Sequence, residues 1–64
     1  MKYYKDADGY IWKFSDDYTS YDEYNNKTNS WGSLSEYNSI YFNEDYKTYS
    51  FKNLTEDELF TEML

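Results

Sequence analysis

The chain has no cysteine, histidine, proline or arginine, and only two glycines in 64 residues. Without Cys there is no disulfide, no thiolate metal ligand and no sulfur nucleophile. Without His, both the usual zinc ligand and the usual general base at neutral pH are missing. Without Arg there is no planar fork to clamp a phosphate or a carboxylate. Long apolar runs are also absent, and nothing approaches the ~20 residues of a membrane span. Met1-Lys2 leads into Tyr3-Tyr4-Lys5-Asp6, not into the ~7–15 apolar residues of a signal peptide. The two glycosylation-type triplets, Asn26-Lys27-Thr28 and Asn53-Leu54-Thr55, are therefore read as coincidental. A paired-carboxylate hydrolase needs a cleft holding two acids some 5–9.5 Å apart, and so short a chain can hardly enclose one. These absences predict a cytoplasmic protein that is not an enzyme, with no catalytic residues, no cofactor, no metal and no membrane partner.

What is present is acid and aromatic mass. Thirteen Asp and Glu face six Lys, for a net charge of −7, while ten Tyr, four Phe and two Trp make 25% of the chain aromatic. Acidity alone favours disorder, because a charged chain with little apolar mass cannot offset its ordering entropy. The aromatic rings reverse that expectation, since each can bury on the order of 150–250 Å². Residues 1–64 then form a single domain near the lower size limit, where only about 60% of the unfolded surface is buried. Domains this small usually lean on a staple. With disulfides excluded, a homodimer or a tightly docked partner is the remaining candidate.

The expected class is α+β, a small antiparallel sheet of two hairpins with an acidic middle segment and a short C-terminal helix. Tyr10, Trp12 and Phe14 alternate with Ile11 and Lys13 at the period of a half-buried strand. The Asp8-Gly9 pair before them supplies turn chemistry, which predicts a hairpin from residues 2–5 and 10–14. A second hairpin is predicted over 39–43 and 46–51, from the aromatic run Ile40-Tyr41-Phe42, the turn residues Asn43-Glu44-Asp45 and renewed alternation to Phe51. Thr55 and Glu58 have the spacing of a capping box, flanked by Leu54 and Leu59, and predict a helix over 55–64. Between Ser15 and Asn38 the Tyr18, Tyr21 and Tyr24 spacing suggests a short helix or an acidic loop, then a turn at Trp31-Gly32. The predicted core is Tyr10, Trp12, Phe14, Ile40, Phe42, Phe51, Leu59 and Phe60.

Two features could carry function. Asp6-Ala7-Asp8-Gly9 resembles the beginning of a calcium loop, but one of the three alternating acids before the glycine is missing. A hairpin turn is the preferred reading. The remaining acids cluster in predicted turns, loops and the helix start. For any one cluster the plain role is solubility or helix capping; taken together they resemble a charge array. Carboxylates ~6.6 Å apart along a strand or ~6 Å apart along a helix are spaced much like phosphates on one DNA strand, at roughly double the 3.4 Å axial rise. The six Lys are scattered singly, so no basic face exists for nucleic acid itself. Tyr18, Tyr21 and Tyr24 sit among acids and suit interface anchors, since Tyr is enriched at interaction hot spots.

The stretches Asp16-Asp17-Tyr18-Thr19-Ser20-Tyr21-Asp22-Glu23-Tyr24 and Glu44-Asp45-Tyr46, with the short length and the missing catalytic residues, resemble the small acidic anti-defence proteins of phages: anti-CRISPR, anti-restriction and uracil-DNA glycosylase inhibitor proteins. That resemblance implies a stoichiometric inhibitor of a host defence or nucleic-acid-processing protein with a basic surface. Asp16, Asp17, Tyr18, Tyr21, Asp22, Glu23, Tyr24, Glu44 and Asp45 are the expected partner-binding residues. The alternative is an inhibitor or adaptor that binds through an aromatic patch, its acids serving only solubility.

Overall fold

The computed structural model describes residues 1–25 and 27–64. Asn26, which opens one of the two triplets, lies outside them.

Strands β1 (Lys2–Lys5) and β2 (Ile11–Phe14) form an antiparallel hairpin, with Tyr4 opposite Trp12 and Lys5 opposite Ile11. Its turn is organised around Asp6, which is buried. The Asp6 carboxylate accepts the Asp8 and Tyr10 backbone N–H groups at 3.0 and 2.9 Å and the Trp12 indole N–H at 3.0 Å. Gly9 adopts a φ of 91°, which a side chain would resist. The second strand begins at Ile11 rather than Tyr10, and Tyr10 is exposed.

Strand β3 (Ser20–Asn25) pairs antiparallel with β2, Phe14 opposite Tyr21 and Trp12 opposite Glu23. The far edge of β3 carries two short strands: β4 (Ser30–Trp31) against its last residues and β5 (Ser35–Glu36) against its first. On the other side of the sheet, β6 (Lys52–Leu54) pairs with β1. The molecule is an α+β protein with one antiparallel six-stranded sheet, in the order β4-β3-β2-β1-β6 with β5 also on β3.

Two short helices complete it. A 3₁₀ turn (Ser39–Tyr41) runs into α1 (Phe42–Thr48), and α2 (Glu56–Met63) closes the chain. Residues 39–51 are therefore not a hairpin. Asn38 accepts the Ile40 N–H at the start, and Phe42 and Tyr46, four residues apart, both pack toward Tyr4 and Phe51. At the end, Ser50 takes a φ of 53° while the Phe51 N–H reaches the Tyr46 carbonyl at 3.0 Å and the Ser50 N–H reaches Lys47 at 3.3 Å. That is a Schellman stop with serine where glycine is usual.

The acidic middle is also different from its expectation, since residues 20–25 form a strand. Pairing with β2 outweighs the helical spacing of its three tyrosines, and strand alternation sends Tyr21 and Tyr24 to opposite faces. Helix α2 carries a complete capping box: the Glu58 N–H donates to Thr55 Oγ1 at 3.2 Å and the Thr55 N–H donates to Glu58 Oε1 at 3.1 Å.

Each face of the sheet has its own core. On one, Tyr4, Phe14 and Phe51 are buried beneath α1, with Trp12, Tyr18, Tyr21, Tyr37 and Phe42 packed around them. On the other, Ile11, Tyr24, Leu54 and Leu59 are buried beneath α2, with Tyr3, Trp31 and Met63 alongside. Of the expected core, Tyr10, Ile40 and Phe60 are exposed, the last two at 76% and 69%. Ile40 lies in the 3₁₀ turn, where no strand alternation directs it to the sheet, and Phe60 follows Leu59, so α2 turns it away from the sheet.

Candidate functional site

The registers fix which charged groups share an end of the sheet. Ser20 pairs with Glu36, Lys2 with Phe14 and Tyr3 with Leu54. The turn between β2 and β3 (Asp16, Asp17), the end of β5 (Glu36) and the first turn of α2 (Glu56, Asp57) therefore lie along one end of the sheet. All five are exposed. At about 4.8 Å per strand, the row from β5 to β6 spans about 19 Å. Exposed Glu44 adds a carboxylate nearby, in the first turn of α1, which begins where the Phe42 ring packs, tilted, against Tyr18 with centroids 4.2 Å apart. Lys2 and the amino group of Met1 are the cations at this end.

The opposite end is close to balanced. Lys5 and Lys52 pair across β1 and β6 at that end, and Lys27 follows β3. Lys47 lies in the last turn of α1, whose end is tied to the first hairpin by the Ala7 N–H on the Tyr49 carbonyl at 2.9 Å. Lys5 neutralises Glu62 at 2.9 Å, and Lys52 reaches back to Glu58 at 3.7 Å. Asp6 is buried within its turn. The net charge is thus polarised along the strand direction, with its anionic pole at the β2–β3 turn.

That turn is rigidly built. The Asp17 carboxylate accepts the Thr19 hydroxyl at 2.7 Å, the Ser15 hydroxyl at 2.9 Å and the Thr19 N–H at 3.2 Å. These bonds hold its carboxyl below the ordinary carboxylate range. Asp16 lies 2.9 Å from the terminal amino group, whose hydrogen bond and charge lower its carboxyl as well. Both are anions at neutral pH. Tyr18 has a φ of 59°, rare for a bulky residue. It is held there by its ring on Phe42 and by a 2.8 Å hydrogen bond between its hydroxyl and that of Tyr4. The strained residue points inward while Asp16 and Asp17 face solvent.

The nine expected partner-binding residues do not form one surface. Asp16, Asp17 and Glu44 belong to the anionic end. Glu23 is exposed but lies opposite Trp12, farther along the strand. Asp45 accepts the Tyr37 hydroxyl at 2.6 Å, a bond that joins α1 to the segment after β5. Tyr24, at 5% exposure, and Asp22, at 6%, are interior, and Tyr18 and Tyr21 are half-buried in the aromatic core. Tyr18, Tyr21 and Tyr24 are therefore not exposed anchors: alternation and the αL turn place their rings in the two cores. Glu36, Glu56 and Asp57 are the members that sequence alone does not bring to Asp16 and Asp17. No sequence window joins them, because only the β5–β3 and β6–β1 pairings place them side by side.

Among the described residues, no group of three or more acidic side chains is arranged to hold a metal ion. Among the same residues, no helix is long and apolar enough to cross a membrane. Comparison of the chain with protein-family models, with curated proteins and with solved structures finds no match.

Proposed function

We propose that the protein is a non-enzymatic inhibitor, of the phage anti-defence kind, that binds a basic host protein of nucleic-acid defence or processing in place of nucleic acid. The observation that carries this reading is the polarised charge: Asp16, Asp17, Glu36, Glu56 and Asp57 lie along one end of the sheet, with most lysines at the other. An array about 19 Å wide is commensurate with about four successive phosphates of a DNA strand, which span three intervals at roughly double the 3.4 Å rise. Strand pairing fixes the backbone positions of these residues, and hydrogen bonds hold the Asp17 carboxylate in place, which lowers the ordering needed there on binding. Attraction of this kind steers encounter and fades once salt shortens the screening length, about 8 Å at physiological ionic strength.

The test is capture of partners from a bacterial lysate at low and high salt, with and without competing DNA duplex. It uses the natural chain and a variant carrying Asp16→Asn, Asp17→Asn, Glu36→Gln, Glu56→Gln and Asp57→Asn. A nucleic-acid-binding partner that is lost at high salt, displaced by DNA and not recovered by the variant supports mimicry. Capture indifferent to all three refutes it.

A second reading rests on Ile40 and Tyr41, exposed at 76% and 56% on the 3₁₀ turn. They give an aromatic-patch adaptor a contact that Tyr18, Tyr21 and Tyr24 do not. Ile40→Ala with Tyr41→Ala abolishes capture on that reading, while the acid variant leaves it intact.

A further inference from the structure

Strands β4 and β5 are one edge strand interrupted by a bulge. Tyr24 pairs with Trp31 and Tyr21 with Ser35, so three residues, Gly32, Ser33 and Leu34, stand opposite Asp22 and Glu23. Bulges of this kind leave ladder positions unpaired and re-aim side chains. Here the Gly32 N–H still reaches the Glu23 carbonyl at 3.0 Å, while Gly32, Ser33 and Leu34 are all exposed. Beneath the bulge lies Asp22, 6% exposed, and its Oδ1 has no hydrogen-bond partner among the described residues. Residues 21–23 with Gly32, Ser33 and Ser35 wall an open groove of about 350 Å³ at this point.

A buried carboxylate oxygen without a donor is costly and calls for one. The internal cation best placed to serve is Lys13, directly across from Asp22 in the β2–β3 register. Its ammonium lies instead 4.4 Å from the centroid of the Trp31 ring, and no ion pair joins it to Asp22. The roof over Oδ1 is glycine: a Cβ on Gly32 would sit 3.4 Å from Asp22 Oδ1 and 3.6 Å from the Glu23 carbonyl. The acceptors here, the Asp22 carboxylate and the Glu23 carbonyl with exposed Glu23 at the lip, present oxygens to a ligand rich in donors and lacking acceptors. That description fits a guanidinium, which offers five N–H donors in one plane, better than a compact, strongly hydrated ammonium.

We propose that the bulge at Gly32–Leu34 is a receiving site for an arginine side chain of the protein partner, with Asp22 as the buried acceptor exposed when the glycine roof yields. The site rests on the proposed reading that the partner is basic. It adds to the anionic end a specific contact that charge alone would not supply.

The test needs no partner. N-acetylarginine amide is titrated into isotope-labelled protein while amide NMR shifts are followed, with N-acetyllysine amide and sodium chloride as controls. The expected result is saturable shifts at Glu23, Gly32 and Ser33 with the arginine probe, and binding about tenfold weaker with the lysine probe. Asp22→Asn lowers affinity for the arginine probe at least about tenfold, because the buried charge is gone. Gly32→Ala does the same by roofing Oδ1, and its methyl meets its neighbours at ordinary contact distance, so the fold persists and this variant decides if Asp22→Asn unfolds. Shifts that follow ionic strength alone, or saturable binding retained in Gly32→Ala, overturn the proposal. If neutralising the five acids of the anionic end leaves partner capture unchanged while the arginine probe still saturates here, the inhibitor reading fails and this site stands. If capture behaves as expected and the probe does not saturate, this site fails and that reading stands.

Discussion

Phe14→Ala and Phe60→Ala are identical changes at two residues the sequence places in the core, and the structure separates them. Phe14 is fully enclosed, its ring 5.0–6.1 Å, centroid to centroid, from those of Tyr4, Trp12, Tyr18, Tyr21, Tyr37, Phe42 and Phe51. It joins β1, β2, β3, α1 and the segment after β5. Truncation removes its transfer energy and leaves a cavity that rigid neighbouring rings fill poorly, so the loss is about 3–5 kcal/mol. At about 0.05–0.15 kcal/mol per residue, a chain of this length has roughly 3–10 kcal/mol in total. Phe14→Ala should therefore consume much or all of the stability. Phe60 is 69% exposed, and its loss should stay within about 0.5 kcal/mol. The assay is urea denaturation followed by near- and far-ultraviolet circular dichroism, comparing midpoints and slopes for both variants and the natural chain. Equal losses at the two positions, or a Phe14→Ala loss under about 2 kcal/mol, would refute the two-core arrangement; the floor is set by the lower end for truncating a large buried side chain to alanine.

Asp6→Ala orphans the Trp12 indole and two backbone N–H groups in the first turn, and should cost about 1–3 kcal/mol by the same denaturation assay, with Trp12 fluorescence reporting the loosened turn. Thr55→Ala removes half of the capping box and should cost about 1 kcal/mol; hydrogen exchange should show the loss concentrated in α2. Burial and the Tyr18 hydroxyl raise the Tyr4 phenol, and burial and Asp45 raise that of Tyr37. Their folded values lie above the unfolded ones. The stability they contribute is whole below about pH 10 and is lost as pH rises through the folded values. Alkaline titration followed by phenolate absorbance should show these two tyrosines ionising late and together with unfolding; early, independent ionisation would contradict their placement. Glu58 works in the other direction, because the Thr55 backbone and hydroxyl lower its carboxyl. Its contribution is present above about pH 4.3 and fades as pH falls through the lower folded value.

Local chemistry made some of this molecule legible. The Asp8-Gly9 turn and the capping residues Thr55 and Glu58 depend only on near neighbours in sequence, so their spacing carries the information. Where a residue's environment depends on a distant partner, local pattern misled. Ile40-Tyr41-Phe42 has strand composition, yet the segment is helical because Phe42 and Tyr46 find Tyr4 and Phe51 on the sheet. Ser50 hides the helix stop, since serine in a left-handed conformation carries no glycine signature. Tyr18, Tyr21 and Tyr24 have the spacing of a helix face, and only the pairing of β3 with β2 assigns each ring to its core.

By composition, the sequence determined that this is an acidic, ring-rich chain lacking Cys, His and Arg, and with them the chemistry those residues bring. It could not determine where the charge collects. Tertiary structure decided that, because strands distant in the chain align their ends through backbone hydrogen bonds that are indifferent to side-chain charge. Pairing β5 with β3 and β6 with β1 carried Glu36, Glu56 and Asp57 to Asp16 and Asp17. Pairing both β4 and β5 with β3 left three residues opposite Asp22 and Glu23 and so produced the bulge.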